Sequence, residues 1–339
     1  MLDDASFGTS FRPQSFSFAG HLGPSHVAAE FAMNEMKFLG AVGKTMYSGN
    51  LEIMKNFNAN LRAWVRKNPR LKSFLINHYT WMLRTRWWFR SCVLHSPFEL
   101  GIGQNRMKFW PVGSIAQPLY NGGFELSDRN FVLAYLKPGM RVVDAGANIG
   151  LYTVMASILT GPSGRVYAFE PGKKAFNRLQ RNLRLNNCQN VIAKNVALAN
   201  TCGEMILRVD PNNPTFDAHC FVDLLHDAAQ INSTDEIVKC QKLDNYNLGH
   251  IDFIKIDVEG GELALLEGAE QTLLDSPDVM ILLECTKHRK QLQDFMERLG
   301  FNSFLWDNEE HDLKPVVFEK AVTTSNVVLR RNPWKPHSK

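Results

Sequence analysis

The chain has 339 residues, with 38 Lys and Arg against 34 Asp and Glu, and 45% of its residues are hydrophobic. That apolar share excludes wholesale disorder, and no run of 18 or more apolar residues offers a transmembrane helix. The opening MLDDASFGTS is acidic and lacks an apolar segment, so it does not read as a secretory signal.

Six cysteines form no CxxC pair. Their spacing suggests neither a disulfide frame nor a zinc cluster, and the expectation is reduced thiols in a cytoplasmic protein. Charge is uneven along the chain. Residues 1–97 carry 12 basic and 5 acidic side chains, and nine Lys or Arg with no acid lie between Ile53 and Phe98.

Residues 1–25 read as a loosely ordered leader. From about His26 to Arg90 the spacing is helical, broken at Pro69, with Phe57, Leu61, Trp64 and Val65 on one face. The expected organisation is a basic, mainly helical N-terminal extension over 1–97 and a catalytic domain over 98–334. The extension reads as a helical layer with a solvated basic face. Trp interleaved with Arg over residues 53–98 leaves contact with a membrane surface or an acidic partner open. Nucleic acid is the least supported partner, since it rests on basic charge alone.

From about residue 98 strands alternate with helices. Strands are expected over Arg141–Ala145, Arg165–Phe169, within Asn190–Leu198, and over Asp252–Asp257 and Val279–Glu284, with late strands at Phe301–Trp306 and Asn326–Arg330. Helices are expected at Leu151–Leu159, Lys173–Leu185, Glu262–Leu274 and Arg289–Leu299. This alternation predicts an α/β, Rossmann-like doubly wound parallel sheet with every strand's carboxyl end on one rim. Residues 210–235 interrupt the rhythm and read as a lid or binding loop.

Three motifs fall on that rim. The first runs from Val142 to Gly150, an apolar strand with Asp144 at its tip and then Gly146 and Gly150 leading into a helix. Glycines let the backbone turn tightly and approach a ligand, and the helix start offers free N–H groups. A dinucleotide would need a glycine where Asn148 stands. S-adenosylmethionine (SAM), with its ammonium and sulfonium, suits an acid before the loop. The second motif is Glu170-Pro171 at the next strand tip, 24 residues after Gly146, where an acid about 20 residues on grips a ribose diol. The third runs from Ile254 to Glu262. Asp257 ends the fourth strand, Glu259 and Glu262 open a helix, and Glu284 ends the fifth strand beside it.

With these residues the chain resembles the FkbM-type methyltransferases, a branch of the class I SAM-dependent enzymes, from about Asn121 to Arg330. The resemblance is carried by Val143–Gly150, Ala168–Pro171, Asn182-Leu183, Asn186-Asn187, Leu243-Asp244, Lys255–Gly260 and Ile281–Glu284. It implies a seven-stranded sheet whose last strand runs antiparallel. It also implies that Asp144, Gly146, Ala147, Asn148 and Gly150 cradle the methionine end of SAM and that Glu170 with Pro171 holds the ribose. Asn195 and Ala197 would border the adenine, and Asp257 would lie near the sulfonium.

The expected reaction is O-methylation of a small-molecule hydroxyl, on a sugar or a natural-product-like acceptor, with the substrate class taken from the resemblance. Such a hydroxyl needs a base or a metal. Asp257 and Glu284 could hold one Mg²⁺ through oxygen ligands, but the next residue is Cys285, which leaves the set incomplete. Without metal, Asp257, Glu259, Glu284 or one of His219, His226 and His288 takes the proton. The alternative is a catalytically silent SAM-fold scaffold that docks through its basic N-terminal half.

Overall fold

Short apolar runs such as RVVDA, FIKI and MILL can be buried on both faces only inside a sheet covered by helices on both sides, and that is where they lie. The structure, a computed structural model, describes residues 80–208, 221–224, 235–284, 288–318 and 326–331. The leader, the helical stripe up to Tyr79, most of the 210–235 segment, His219, His226 and Cys285 fall outside the described residues. So does most of the basic surface over 53–98.

Residues 80–88 are helical and pass into a π-helical turn, Phe89–Leu94. Trp87 packs on Phe98 and Tyr120, with ring centroids 6.4 and 5.7 Å away, while Trp81 and Trp88 are exposed. A hairpin follows, β1 (Phe98–Ile102) and β2 (Asn105–Phe109), then α1 (Ala116–Tyr120) and α2 (Leu126–Tyr135).

The alternating units come next: β3 (Arg141–Ala145), α3 (Leu151–Thr160), β4 (Arg165–Phe169), α4 (Lys173–Leu185) and β5 (Val191–Lys194). After β6 (Ala197–Leu198), β7 (Gly203–Arg208), β8 (Phe221–Leu224) and β9 (Glu236–Gln241), the chain returns to the main sheet with β10 (Phe253–Ile256). There follow α5 (Glu262–Glu267), α6 (Glu270–Leu274), β11 (Met280–Leu283), α7 (Arg289–Arg298), β12 (Asn302–Asp307), β13 (Asp312–Pro315) and β14 (Val327–Arg330).

The main sheet has the order β13-β12-β14-β11-β10-β3-β4-β5. Strands β3, β4, β5, β10 and β11 are parallel, and β14 runs antiparallel to both β11 and β12. The order reverses at β3/β10, the switch point where open α/β sheets bind ligands. Expectation and structure agree on the class I arrangement and on the antiparallel last strand. The count of seven is corrected to eight: the chain turns back after β12 through residues 308–311, where Asp307 accepts the N–H groups of Glu309 and Glu310, and β13 pairs on the edge. A second sheet, β6-β9-β7-β8, was not anticipated. Its strands border the expected insertion, where short polar runs obscure the alternation.

Period-two alternation splits the core. Val143, Ile254, Ile256, Ile281 and Leu283 face Leu265, Leu273, Leu292 and Phe295 of α5–α7. Val142, Val166, Phe253 and Leu282 face Phe109, Phe131, Leu151 and Met155 on the other side. The helix expected over Glu262–Leu274 is broken into α5 and α6 at Gly268. A Cβ there would lie 2.0 Å from the Ala199 carbonyl oxygen, so the approach of that backbone requires glycine.

Candidate functional site

The β3–α3 turn is tied to its neighbours by backbone bonds. The Phe169 carbonyl accepts the N–H groups of Gly146 and Ala147, at 2.9 and 3.0 Å, and the Ala145 carbonyl accepts that of Asp257 at 3.0 Å. Gly146 has φ +81°, and a Cβ would fall 1.7 Å from the Asp257 carbonyl oxygen; Gly150 has φ +95°, and its Cβ would meet Leu179 at 2.6 Å. Both glycines are demanded by neighbours within the fold, in keeping with the tight turn expected of them. Asn148 also takes positive φ, at +46°.

Glu170 closes the turn from the β4 side. Its Oε2 accepts the Asn148 N–H and its Oε1 the Gly172 N–H, each at 2.8 Å. Burial pushes this carboxyl up to about 7, against the two N–H donors that favour its charged form. The Asn195 amide donates to the carbonyls of Glu170 and Pro171, at 2.8 and 2.7 Å, so its side chain serves the turn that aims Glu170. Ala197 is buried in β6, paired with Cys240. Asp144 lies beneath the turn, 2% exposed, and Oδ2 accepts the Thr153 hydroxyl. Burial raises its carboxyl to about 6, opposed by Thr153.

These residues fit SAM. Glu170 is a buried acid aimed into a glycine turn, suited to the two donors of a ribose diol. Asn148 Oδ1 is a buried acceptor with no partner among the described residues, suited to an ammonium.

The acceptor side follows from strand register. Lys255 stands beside Asp144 on β3 and Leu282 on β11. Asp257 and Glu284 come two residues after Lys255 and Leu282, so alternation turns them to the same face. That face meets Tyr152 of α3 and Glu125, which precedes α2 in a left-handed conformation at φ +45°. Glu125, Asp257 and Glu284 each bring a carboxylate oxygen within 4.8 Å of the others. Tyr152 donates its hydroxyl to Glu125 at 2.6 Å.

Lys255 is buried and forms an ion pair with Asp257 Oδ2 at 3.1 Å. Burial works against its charge, but Asp257, Glu125, Glu284 and Asp144 outweigh that and raise its pKa. Burial also raises Glu125. Glu284 is pushed up to about 8, by burial first and then by Asp257. Glu259 lies in the left-handed turn after β10, at φ +52°. Glu262 is buried and accepts the Gly260 N–H at 2.7 Å, as a helix-start acid should. His288 is exposed.

Asp257, one of the three carboxylates, already faces the Lys255 ammonium through Oδ2. A divalent ion at this set would therefore lie close to a second, buried cation, and the two would repel.

The rim thus assembles Asp144, the 146–150 turn, Glu170, Asp257 and Glu284, as the motifs suggested. Glu125, Tyr152, Thr153 and Lys255 were missed. Lys255 carried a signal, since a lysine inside a buried strand demands a partner. Glu125 had none, because only the fold brings it to residues 257 and 284.

Residues 144–307, just under half of the chain, match the model of the methyltransferase FkbM domain. The chain is 30% identical over 160 residues to Methyltransferase 1 of Beauveria bassiana, a stretch covering 42% of this chain and 64% of that protein. The chain therefore spans less than two thirds of that relative. It is 25% identical over 231 residues to Methyltransferase sdnD of Sordaria araneosa, covering 59% and 88% of the two chains. A crystal structure of methyltransferase FkbM from Methylobacillus flagellatus aligns with a TM-score of 0.40 and 14% identity, over 63% of this chain and 53% of that one. The segment that matches this methyltransferase domain model is thus the one that carries the strand order, the glycine turn and the acid that closes it.

Proposed function

We propose that the chain transfers a methyl group from SAM to a hydroxyl of a sugar or natural-product-like small molecule. One observation carries the reading: the Gly146 turn lies between two acidic groups with different surroundings. On one side Glu170 is held by backbone N–H donors. On the other Glu125, Asp257 and Glu284 converge beside Lys255. The first arrangement suits a diol and the second suits a hydroxyl that must lose a proton.

SAM supplies a methyl group on a sulfonium, reactive enough that the protein's work is alignment and charge. Holding two reactants in line contributes about 7–11 kcal/mol. Glu170 orients the cofactor through its ribose. Asp257, on the rim and pinned by Lys255, receives the acceptor's proton, while Glu284 and Glu125 border the acceptor's oxygen.

The test is incubation of the full chain with methyl-labelled SAM and a cell extract, followed by identification of the labelled compound. Label on the oxygen of a small molecule supports the reading. Label on nitrogen, on carbon or on a macromolecule overturns it. Absence of both labelling and SAM binding points to a silent scaffold.

A further inference from the structure

The acidic cluster contains a cation of its own. Lys255 lies in the middle of β10, 1% exposed, where an unpaired ammonium would be costly. Its Nζ is 3.1 Å from Asp257 Oδ2 and 5.1 Å from the Tyr152 ring centre. It makes no hydrogen bond among the described residues, so charge and the aromatic face hold it. The groups that face it or its partners come from every neighbouring element: Asp144 from β3, Tyr152 from α3, Glu125, Asp128 and Arg129 at the start of α2, Asp257 and Glu259 after β10, and Glu284 after β11.

We propose that Lys255 is a positioning residue, the resident cation that holds the Asp257 carboxylate at the rim and does there what a divalent metal would otherwise do. Glu125 and Glu284 share one ammonium with Asp257, which lies against it. Burial raises those two carboxyls, so they keep their protons to higher pH than ordinary acids do. The inference rests on the O-methylation reading only for what Asp257 then does. In that step the acceptor's O–H proton passes to Asp257, the oxygen lone pair forms the new O–C bond, and the C–S bonding pair stays on sulfur. The balance needs no metal and no oxidant.

The experiment needs no acceptor, so its failure is distinct from failure of the O-methylation reading. Carboxyl protonation is followed by infrared titration in the wild type, Lys255→Met and Lys255→Arg, with S-adenosylhomocysteine affinity measured by calorimetry and folding by circular dichroism. In Lys255→Met the cluster should titrate higher by about one pH unit or more, with affinity within threefold of wild type, and Lys255→Arg should restore the wild-type titration. A Lys255→Met titration like that of the wild type overturns the proposal, as does a tenfold loss of affinity in the folded variant. Mn²⁺ added to the wild-type protein and read by electron paramagnetic resonance gives a check independent of any variant. Free Mn²⁺ at millimolar concentration is expected, and tight binding abolished by Glu284→Gln would make the cluster a metal site and overturn the proposal.

Discussion

Glu170 and Asn148 meet across the mouth of the glycine turn, with the carboxylate Oε2 accepting the loop N–H at 2.8 Å. One contact therefore fixes the course of the loop and the aim of the acid. The carboxyl is raised to about 7 by burial, and a diol donating to it favours the charged form. S-adenosylhomocysteine should bind up to about tenfold more tightly at pH 8 than at pH 6. In Glu170→Gln the affinity should fall at least tenfold and lose most of that pH dependence, as calorimetry at both pH values will show.

The same residue affects folding in the opposite sense to an ion-paired acid. Its carboxyl goes from an ordinary value of 4.5 to about 7 on folding, so between these values the folded chain binds more protons than the unfolded one. Stability falls as pH rises through that window, by at most about 3 kcal/mol from this group. Denaturation at pH 5 and pH 7.5 should show the loss, and Glu170→Gln should reduce it.

Gly146→Ala should destabilise the chain by at least about 2 kcal/mol, because it combines positive φ with a collision against a carbonyl oxygen. Gly261→Ala is the control. It lies in the other loop of the site, at φ −93°, and its nearest neighbours stand 3.6 Å away. Urea denaturation of the pair should separate them clearly.

Thr153→Val removes a hydroxyl that donates to a buried carboxylate. The cost should be about 2 kcal/mol at pH 8, where Asp144 is ionised. At pH 5 the folded carboxyl, raised to about 6, is largely protonated, so the difference from wild type should shrink.

Asp257→Asn should lower methyl transfer at least tenfold while S-adenosylhomocysteine affinity stays within threefold of wild type. Equal losses in both would move Asp257 from chemistry to cofactor binding.

The parallel core was legible because most of its strands are dense apolar runs ended by Gly, Asp or Glu. The bounds of α4, Lys173–Leu185, agree to the residue, since its apolar spacing is clean and Gly172 and Asn186 bracket it. Buried polar groups are what hydrophobic patterning hides. Asn182 lies 1% exposed on the inner face of α4, donating to the Ile149 carbonyl and accepting the Trp110 N–H, and pattern alone gave it no role there. The second sheet escaped because strands such as Glu236–Gln241 are half polar and their partners are brought together by the fold. The cofactor end of the site was legible because its residues sit at the tips of two consecutive strands, from Asp144 to Gly150 and then at Glu170. The acceptor end was only half legible because Glu125 arrives from 132 positions before Asp257.

The contact of Gly146 with the Asp257 carbonyl gives the two ends of the site a common partition. Moving the main chain on one side would dislodge the other, so the two ends can be altered independently only by exchanging side chains around that partition.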